Sequence, residues 1–376
     1  MKKAFLLLLL VAALLPLRAQ TIEADLGDSS FVSLLTMGPG EEFYTTWGHS
    51  AIRICDSTLG LDIVYNYGTF DFNVKNFYLK FARGTLDYCL SRTSYANVVS
   101  EYHFEGRALW EQRLDLSRQE RNNLLVMLEH NYLPDYRYYK YDFFRDNCAT
   151  RIRDMINNCL CHRTLFEAHE VANAATYRDL LYAPTGHLLW WRLGVDLLLG
   201  QRCDRECNSM EYMFSPLEMM AQADTLGIVA DRRQVLEALP REEAYTPNPT
   251  MCFWLLFVVV LSLTIIGWAK GKRLVWLDEV LFWTGGLLSA LLIFMWCGTN
   301  HYFTKMNWNL LWANPLLIYF ALRPRRSHKV VALVGLGLEA VVLLGFLFLP
   351  QHLNAAVFPI ALTFFIRILD KLLHSN

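Results

Sequence analysis

A cysteine and a histidine of this chain stand in contexts that favour acyl-transfer chemistry. Cys148 lies in FFRDNCATRIRDMI, where it begins a predicted helix directly after the capping residues Asp146 and Asn147. A thiol is a nucleophile only as thiolate, and a helix N-terminus stabilises that negative charge. His49 stands about a hundred residues earlier, in TTWGHSAIRI, at the start of an apolar strand pattern. Together they are the minimum set for a thioester mechanism; a buried structural thiol and a capping or core histidine are the alternatives.

Short apolar runs predict the elements that must position these two residues. FVSLLTMG, HSAIRIC and LDIVYNYG are typical of strands, because they are β-branched runs bounded by Gly, Asp and Pro. SRQERNNLLVMLEHNYL and CATRIRDMINNCL have apolar residues at helical spacing. TGHLLWWRLGVDLLLGQ predicts either a buried amphipathic helix or a helix lying in the bilayer surface. Residues 21–247 therefore predict one globular domain of strands and helices.

The composition indicates a protein with a membrane part. Of its 376 residues, 54% are hydrophobic and only 19% are charged, and the formal net charge is -1. So much apolar content is unusual in a soluble domain of this size. A net charge near zero, with no basic patch interleaved with aromatics, argues against nucleic acid as a partner.

The first twenty residues have the three parts of a secretory signal. Lys2 and Lys3 form the basic start, residues 4–15 the apolar run, and LRA at 17–19 an imperfect cleavage site. A retained anchor is the alternative, but the run is short for a membrane span. We therefore predict that residues 1–20 are a signal peptide and that the following domain is exported.

After YTPNPT the character of the chain changes, and residues 248–376 predict an all-α domain of five transmembrane helices. The five apolar runs are Met251–Trp268, Val280–Cys297, Asn309–Leu322, Val330–Leu349 and Ala355–Leu369. A span needs roughly 17 to 25 residues, so the third and fifth runs require flanking residues to qualify. Export of the preceding domain puts Thr250 outside, and the basic clusters KGKR and RPRRSHK then both face the cytoplasm, as the positive-inside rule requires.

The predicted external loop CGTNHYFTKMNWNLLWANP is a second candidate site. It holds His301, Asn307 and Asn309 beside Trp308 and Trp312. Polar side chains at membrane depth are costly unless they pair or line a cavity, so they suggest substrate binding. An interfacial tryptophan belt with capping asparagines is the alternative reading.

The remaining cysteines suggest no cofactor. Cys203 and Cys207, in QRCDRECN, have the spacing of a local disulfide in an oxidising compartment. Adding Cys159, Cys161 and the nearby His162 makes only a weak zinc set, since structural zinc sites use C-x2-C or C-x4-C spacing. The chain also has no Gly-rich phosphate loop and no serine nucleophile elbow. We expect neither a metal nor a cofactor.

Four segments together resemble a known family. Roughly residues 31–225 are similar to the Lnb N-terminal periplasmic domain. The segments that carry the similarity are TTWGHSAIRI, VYNYGTFDF, FFRDNCATRIRDMI, and TYRDLLY with WWRLGVDLLLG. The five spans with their polar loop resemble the membrane half of full-length Lnb. More remotely, the order of the two residues along the chain, with the histidine before the cysteine, is similar to that of circularly permuted papain-like enzymes, including the lecithin:retinol acyltransferase group. The resemblance implies an α+β permuted papain-like domain in the periplasm, followed by an all-α five-helix domain in the bacterial inner membrane.

The same resemblance implies a lipoprotein N-acyltransferase. Its implied partners are a membrane phospholipid as acyl donor and the N-terminal amine of a diacylated lipoprotein as acceptor. His49 and Cys148 carry over as catalytic residues. The third group is expected on the strand after the histidine, where Asn66 is the first choice and Tyr67 and Asp71 follow as orienting or substrate-binding residues.

The reaction can be written from these residues. The Cys148 thiolate attacks the ester carbonyl, forms an acyl-thioester and releases a lysophospholipid, while His49 moves the protons. The backbone N–H of Cys148, at the helix start, is placed to donate to the oxyanion. Two other classes stay open: a membrane-tethered cysteine peptidase or amidase acting on cell-wall peptide, and a non-catalytic receptor or assembly factor.

Overall fold

The computed structural model describes residues 25–240, 245–323 and 328–374. Within these residues, seven strands form one sheet in the order β6-β4-β3-β2-β1-β5-β7, with every neighbouring pair antiparallel. The strands are β1 (Phe31–Met37), β2 (His49–Asp56), β3 (Leu61–Thr69), β4 (Asp87–Ser94), β5 (Leu109–Leu114), β6 (Tyr138–Lys140) and β7 (Val229–Leu236). The three predicted strands are confirmed as β1, β2 and β3. The predicted signal peptide, residues 1–20, lies outside the described residues.

Helices cover both faces of this sheet. They are α1 (Phe77–Ala82), α2 (Tyr95–Phe104), α3 (Arg118–Tyr132), α4 (Cys148–Cys159), α5 (Tyr177–Tyr182), α6 (Leu189–Leu198), α7 (Ser209–Tyr212) and α8 (Pro216–Thr225). Because side chains alternate along a strand, each central strand contributes to two cores. Ile52 and Ile54 of β2 pack in the core that contains α3 and α4, whereas Ala51 packs in the core that contains α2.

The two helices predicted nearest to the site are confirmed, and each begins with a reciprocal cap. Ser117 accepts from the backbone N–H of Glu120, and the Glu120 carboxylate accepts the Ser117 backbone N–H at 2.8 Å, which starts α3. Asn147 does the same with Thr150 at the start of α4. Such capping boxes satisfy N–H groups that the first helical turn leaves unpaired. The first helical residue of α4 is therefore Cys148, as predicted.

The C-terminal part is helical, as predicted, but only some of its helices have the predicted length. Its helices are α9 (Pro249–Ala269), α10 (Val275–Cys297), α11 (Leu316–Leu322), α12 (Lys329–Gly345) and α13 (Val357–Leu373). Among the described residues, α9 and α10 are the helices long and apolar enough to cross a membrane by length and composition. The predicted span Asn309–Leu322 is wrong in extent: Trp308–Leu311 is a 3-10 helix and α11 has seven residues. Residues 312–315 separate the two, and the Asn314 side-chain oxygen accepts the N–H of Leu316, the first residue of α11, at 3.1 Å.

The membrane helices present one end to the sheet domain. The loop after α10 joins that domain where the Gly200 N–H donates to the Phe303 carbonyl at 2.8 Å. The loop after α12 joins it where the Gln351 side chain donates to the Leu199 carbonyl at 2.9 Å. These loops are the ones that the orientation predicted from export of the N-terminal domain places on the outer side. The two halves therefore meet at the predicted external face.

Charged residues cluster at the opposite end of the helices. Arg367 of α13 donates to Asp278 of α10 at 2.8 Å and to the Thr264 hydroxyl of α9 at 2.7 Å. The Trp268 indole donates to Asp370 at 2.5 Å. These side chains lie beside the basic KGKR turn, and their mutual pairing makes their burial tolerable.

Helix α6 joins the two halves. Leu193 is buried, and Leu197 and Leu198 pack against the core of the membrane helices. The Trp190 indole donates to the carbonyl of Pro247, immediately before α9, at 2.7 Å. The paired-tryptophan segment is thus an amphipathic helix packed between the sheet domain and the membrane helices.

A buried ion-pair network holds α6 to its surroundings. Arg178 of α5 contacts Asp196 and Asp204, each at 2.7 Å, and all three side chains are largely buried. The second oxygen of Asp196 accepts from Asn354 of the membrane half at 2.8 Å. Removing one partner of such a network leaves the others charged and unpaired in the interior.

Arg178→Met is therefore expected to destabilise the protein by about 3–5 kcal/mol, because two buried carboxylates lose their counterion. The measurement is denaturant or thermal unfolding of the full-length protein in detergent. Lys140→Met is the matched surface control: Lys140 pairs with Asp87 at 2.5 Å, but both side chains are more than half exposed. Its expected cost is below about 1 kcal/mol. Equal costs for the two variants would contradict the prediction.

Candidate active site

Cys148 is held at the start of α4 by the residue before it. The Asn147 side-chain oxygen accepts the Thr150 N–H at 2.9 Å, and its amide donates to the carbonyls of Phe143 and Phe214, each at 2.8 Å. All the polar atoms of Asn147 are thus occupied, as expected for a capping residue. Asp146 does not cap; it forms a two-pronged ion pair with Arg151 at 2.6 and 2.8 Å.

A glycine places His49 at the start of β2. Gly48 has φ +79°, and a Cβ added there would lie 2.5 Å from the Met37 carbonyl oxygen. Only glycine combines a positive φ with such a close backbone approach at low cost. His49 pairs with Met37 across β1 and β2, so the strand register begins at this residue. The WGHS motif therefore specifies the position of the imidazole as well as its presence.

The imidazole of His49 lies between Cys148 and Asn66. Its Nε2 donates to the Asn66 side-chain oxygen at 2.6 Å. Because Nε2 is engaged there, Nδ1 is the nitrogen left for the hydrogen bond that joins His49 to the Cys148 thiol. Asn66 fixes the ring orientation and tautomer. The three residues come from β2, β3 and the first turn of α4.

The electrostatics of the pair favour a thiolate beside an imidazolium. Burial of Cys148 opposes ionisation, but the His49 charge and hydrogen bond, with backbone N–H groups of Ser50 and Ala149, outweigh it and lower the pKa of Cys148. Burial of His49 opposes protonation, but the Cys148 charge, with hydrogen bonds to Cys148 and Asn66, raises the pKa of His49. Each charge stabilises the other, so both shifts favour the thiolate–imidazolium pair over the neutral pair.

A cavity of about 330 Å³ opens onto this pair. Most of the surface that lines it is apolar, and aromatic rings are the largest group of lining side chains, which suits an apolar substrate. The aromatic lining includes Trp47, Phe70, Phe81, Tyr88, Tyr141 and Phe143. Glu101, Glu105 and Arg107 are its charged lining residues within the described part of the chain. Sulfur, imidazole and amide therefore meet in a cavity that favours hydrocarbon.

The structure separates the three alternatives for the third group. Asn66 contacts His49, whereas Tyr67 points to the opposite face of β3, because neighbouring strand residues alternate. The Tyr67 ring is buried in the core with α4, and its hydroxyl accepts from the Asn131 amide at 2.8 Å. Asp71 is exposed and caps the following turn by accepting the Asn73 N–H at 2.8 Å. Neither Tyr67 nor Asp71 lines the cavity.

The predicted loop residues of the membrane half have different roles. His301 lines the cavity, and its Nε2 lies 3.3 Å from the Phe81 carbonyl. Asn307 is buried and donates to the Leu197 carbonyl at 2.7 Å. Asn309 is buried as well and donates to the Asp196 carbonyl at 2.9 Å. Both asparagines hold α6 to the membrane half, so His301 is the one of the three that the structure brings to the cavity.

All nine cysteines lie in described residues and are free thiols. Cys203 and Cys207, predicted as a local disulfide, are not bonded to one another; both are buried in the same apolar cluster. Burial raises the pKa of Cys207 to about 12, and burial also raises that of Cys203. Cys148 is distinguished from them by a lowered pKa, since it has a histidine beside it.

Two features of the site were not predicted from the sequence. Gly68 has φ +97° and stands at a register shift between Asn66 and Thr69. A Cβ there would lie 3.7 Å from the His49 ring and 3.8 Å from the Cys148 Cβ. The YG dipeptide is a weak signal of such a bulge. The second feature is Arg107, a buried cation on the cavity wall, which belongs to no sequence motif that would have predicted its position.

Alkylation of Cys148 by iodoacetamide is expected to continue at pH values where an ordinary thiol no longer reacts. The reason is its lowered pKa, which keeps the thiolate populated as the pH falls. Peptide-resolved mass spectrometry of labelling rate against pH measures this. The exposed Cys161 is an internal reference in the same chain. A half-maximal pH for Cys148 at or above that of a free cysteine would refute the ion pair.

Asn66→Ala is expected to reduce that alkylation rate near neutral pH by roughly 10-fold or more, because an unoriented imidazole holds the thiolate less well. Tyr67→Phe is the neighbouring control, since it removes a hydroxyl on the other face of β3. A purely structural role for Asn66 would leave the pH profile of Cys148 unchanged. Equal profiles in the wild type and Asn66→Ala would thus exclude it as the positioning residue.

Two family models of known proteins match this chain. Residues 19–183 match the family model of the Lnb N-terminal periplasmic domain, which includes His49, Asn66 and Cys148. Residues 241–376 match the family model of the Lnb transmembrane domain. No curated protein and no solved structure matches the chain. The two family matches run in order along most of the chain, which therefore belongs to the Lnb family, as a membrane protein with a periplasmic N-terminal domain.

Proposed function

We propose that this protein is a lipoprotein N-acyltransferase of the bacterial inner membrane with Cys148 as its nucleophile. The observation that carries the proposal is the placement of His49 between Cys148 and Asn66 on the wall of a mostly apolar cavity. Nucleophile, base and orienting amide are the parts that acyl transfer through a thioester requires. A cysteine on a helix start and a histidine earlier in the chain also support a permuted papain-like arrangement.

In the first half-reaction the Cys148 sulfur attacks the ester carbonyl carbon of a membrane phospholipid. The tetrahedral oxyanion is met by backbone N–H groups at the start of α4. When the C–O ester bond breaks, the His49 imidazolium gives its proton to the leaving glycerol oxygen. The products are an acyl-thioester on Cys148, a neutral imidazole and a lysophospholipid.

In the second half-reaction the terminal amine of a diacylglyceryl-cysteine lipoprotein attacks the thioester. Neutral His49 takes a proton from the attacking nitrogen, and the C–S bond breaks as the amide forms. The thiolate and imidazolium are thereby restored, so the cycle closes without a cofactor. Amines attack thioesters readily, which makes this intermediate suitable for amide formation.

The surroundings of the cavity favour this substrate class over cell-wall peptide. A peptide backbone needs polar partners along its whole length, whereas most of the surface that lines this cavity is apolar. His301 lines the cavity and stands only four residues after the end of α10. An ester at the bilayer surface is thus the nearest electrophile. We include in the proposal that this helical half crosses the membrane five times.

The test is mass spectrometry of the N-terminal peptide of a lipoprotein in cells with and without the protein. We expect a triacylated mass with it and a diacylated mass without it. A diacylated mass in both would defeat the acyltransferase assignment. Muropeptide profiles of the same cells test the alternative, because a cell-wall amidase would change those profiles and leave the lipoprotein mass constant.

A further inference from the structure

Large apolar side chains are exposed along residues 72–83, which we call the aromatic segment. The exposed fractions are 60% for Phe72, 83% for Tyr78, 53% for Leu79 and 46% for Phe81. The segment contains α1, in which no residue is buried. Clustered exposure of this kind marks a surface that another apolar body covers.

The aromatic segment lies next to the outer end of a membrane-spanning helix. The Arg83 carbonyl accepts from the Asn300 N–H at 2.9 Å. Asn300 is three residues beyond the end of α10 at Cys297, and three residues span at most ~10 Å. His301 packs against Gly84, where an added Cβ would lie 3.2 Å from its ring. These contacts hold the segment at the level of the membrane–water interface.

The charges of the aromatic segment also suit a lipid surface. It contains Lys75, Lys80 and Arg83 and no acidic residue. Lys75 and Arg83 are exposed. Basic side chains beside exposed aromatic rings are typical of elements that lie in the lipid headgroup region.

Aromatic rings connect the segment to the cavity. Phe72 lies 4.9 Å from Phe70 between ring centroids, and Phe77 lies 6.2 Å from Phe81. Phe70 and Phe81 both line the cavity that contains Cys148. The apolar surface is therefore continuous from the exposed segment to the wall beside the nucleophile.

From these observations we propose that the aromatic segment inserts into the periplasmic leaflet and that a phospholipid acyl chain reaches Cys148 past Phe81 and Phe70. The occupant of this surface is the bilayer that already surrounds α10. Insertion follows from exposure, charge and position alone; the role as entry path rests on the proposed acyltransferase function.

The test places the photo-crosslinking residue benzoylphenylalanine at position 79 of the full-length protein in nanodiscs of phosphatidylethanolamine and phosphatidylglycerol. The control position is Leu59, which is 60% exposed in the turn after β2. That turn is at the far end of β2 from His49, roughly 23 Å away at about 3.3 Å per residue. Illumination is expected to give phospholipid adducts at position 79, at least about tenfold more than at position 59.

Equal adducts at the two positions, or adducts to a second protein chain at position 79, would overturn the membrane insertion. This readout does not depend on catalysis. Lipid adducts at position 79, together with no acyl transfer by the wild-type protein, would therefore uphold insertion and refute the proposed function.

The entry path is tested by Leu79→Glu against Leu59→Glu. A carboxylate in the leaflet opposes insertion, so Leu79→Glu is expected to lower acyl transfer from nanodisc phospholipid by roughly tenfold. Leu59→Glu is expected to stay within about twofold of the wild type. Matching unfolding temperatures show that both variants are folded. Transfer by Leu79→Glu equal to that by Leu59→Glu would overturn the entry path.

Discussion

Cys148→Ala is expected to abolish acyl transfer, with a loss of at least about a thousandfold. Without the thiolate there is no nucleophile to accept the acyl chain, and the thioester intermediate does not form. The measurement is conversion of a diacylated lipoprotein to its triacylated form by purified protein in phospholipid nanodiscs. In the wild type, peptide mass spectrometry should also detect an acyl adduct on Cys148 when the acceptor is withheld.

The matched control is Cys159→Ala, at the other end of the same helix. Cys159 is buried, its thiol contacts the Ile156 carbonyl, and it does not line the cavity. Both substitutions remove a thiol from the same helix. A loss of activity in Cys148→Ala alone would therefore come from the missing nucleophile and not from a change in the stability of the helix. Retained activity in Cys148→Ala would defeat every mechanism in which this thiol is the nucleophile and would favour a non-catalytic protein.

His49→Gln is the second large effect, with an expected loss of roughly 10³-fold or more. His49 has two tasks, since it holds the thiolate as an ion pair and then takes the proton of the attacking amine. Glutamine occupies a similar volume but does neither. Both formation and decay of the acyl adduct on Cys148 should therefore slow, which single-turnover measurements with and without acceptor resolve.

A pH profile distinguishes this role from a structural one. Without the imidazolium, burial alone acts on the thiol, so the pH for half-maximal alkylation of Cys148 should rise in His49→Gln. His130→Gln is the control, because His130 stacks on Tyr136 on the surface of α3. An unchanged profile in His49→Gln would contradict the ion pair, whatever the loss of activity.

Local chemistry made a large part of the fold predictable. The capping residue Asn147 and the helical spacing after it predicted where α4 begins, and the structure confirms Cys148 as its first residue. The runs that became β1, β2 and β3 were recognisable because both faces of these central strands are covered, which requires apolar residues. Long uncharged runs likewise predicted α9 and α10.

Features that depend on contacts between several segments of the chain were predicted wrongly or left undecided. The span Asn309–Leu322 is uniformly apolar enough to suggest one helix, but Asn314 and Pro315 break it. Asn307 and Asn309 look like site residues from their polarity, yet they bond the backbone of α6. Their partners are about a hundred residues away in the chain, so no local pattern reveals them.

The sequence by itself determined the chemical types: a thiol at a capped helix start, a histidine at the start of an apolar strand, and the long uncharged runs that form α9 and α10. Only the tertiary structure decided that Asn66, and neither Tyr67 nor Asp71, contacts His49. The reason is geometric, because strand alternation, the register of β2 against β3 and the bulge at Gly68 together determine which side chain faces the imidazole. Those pairings are set by contacts between segments distant in the chain, which local composition does not encode.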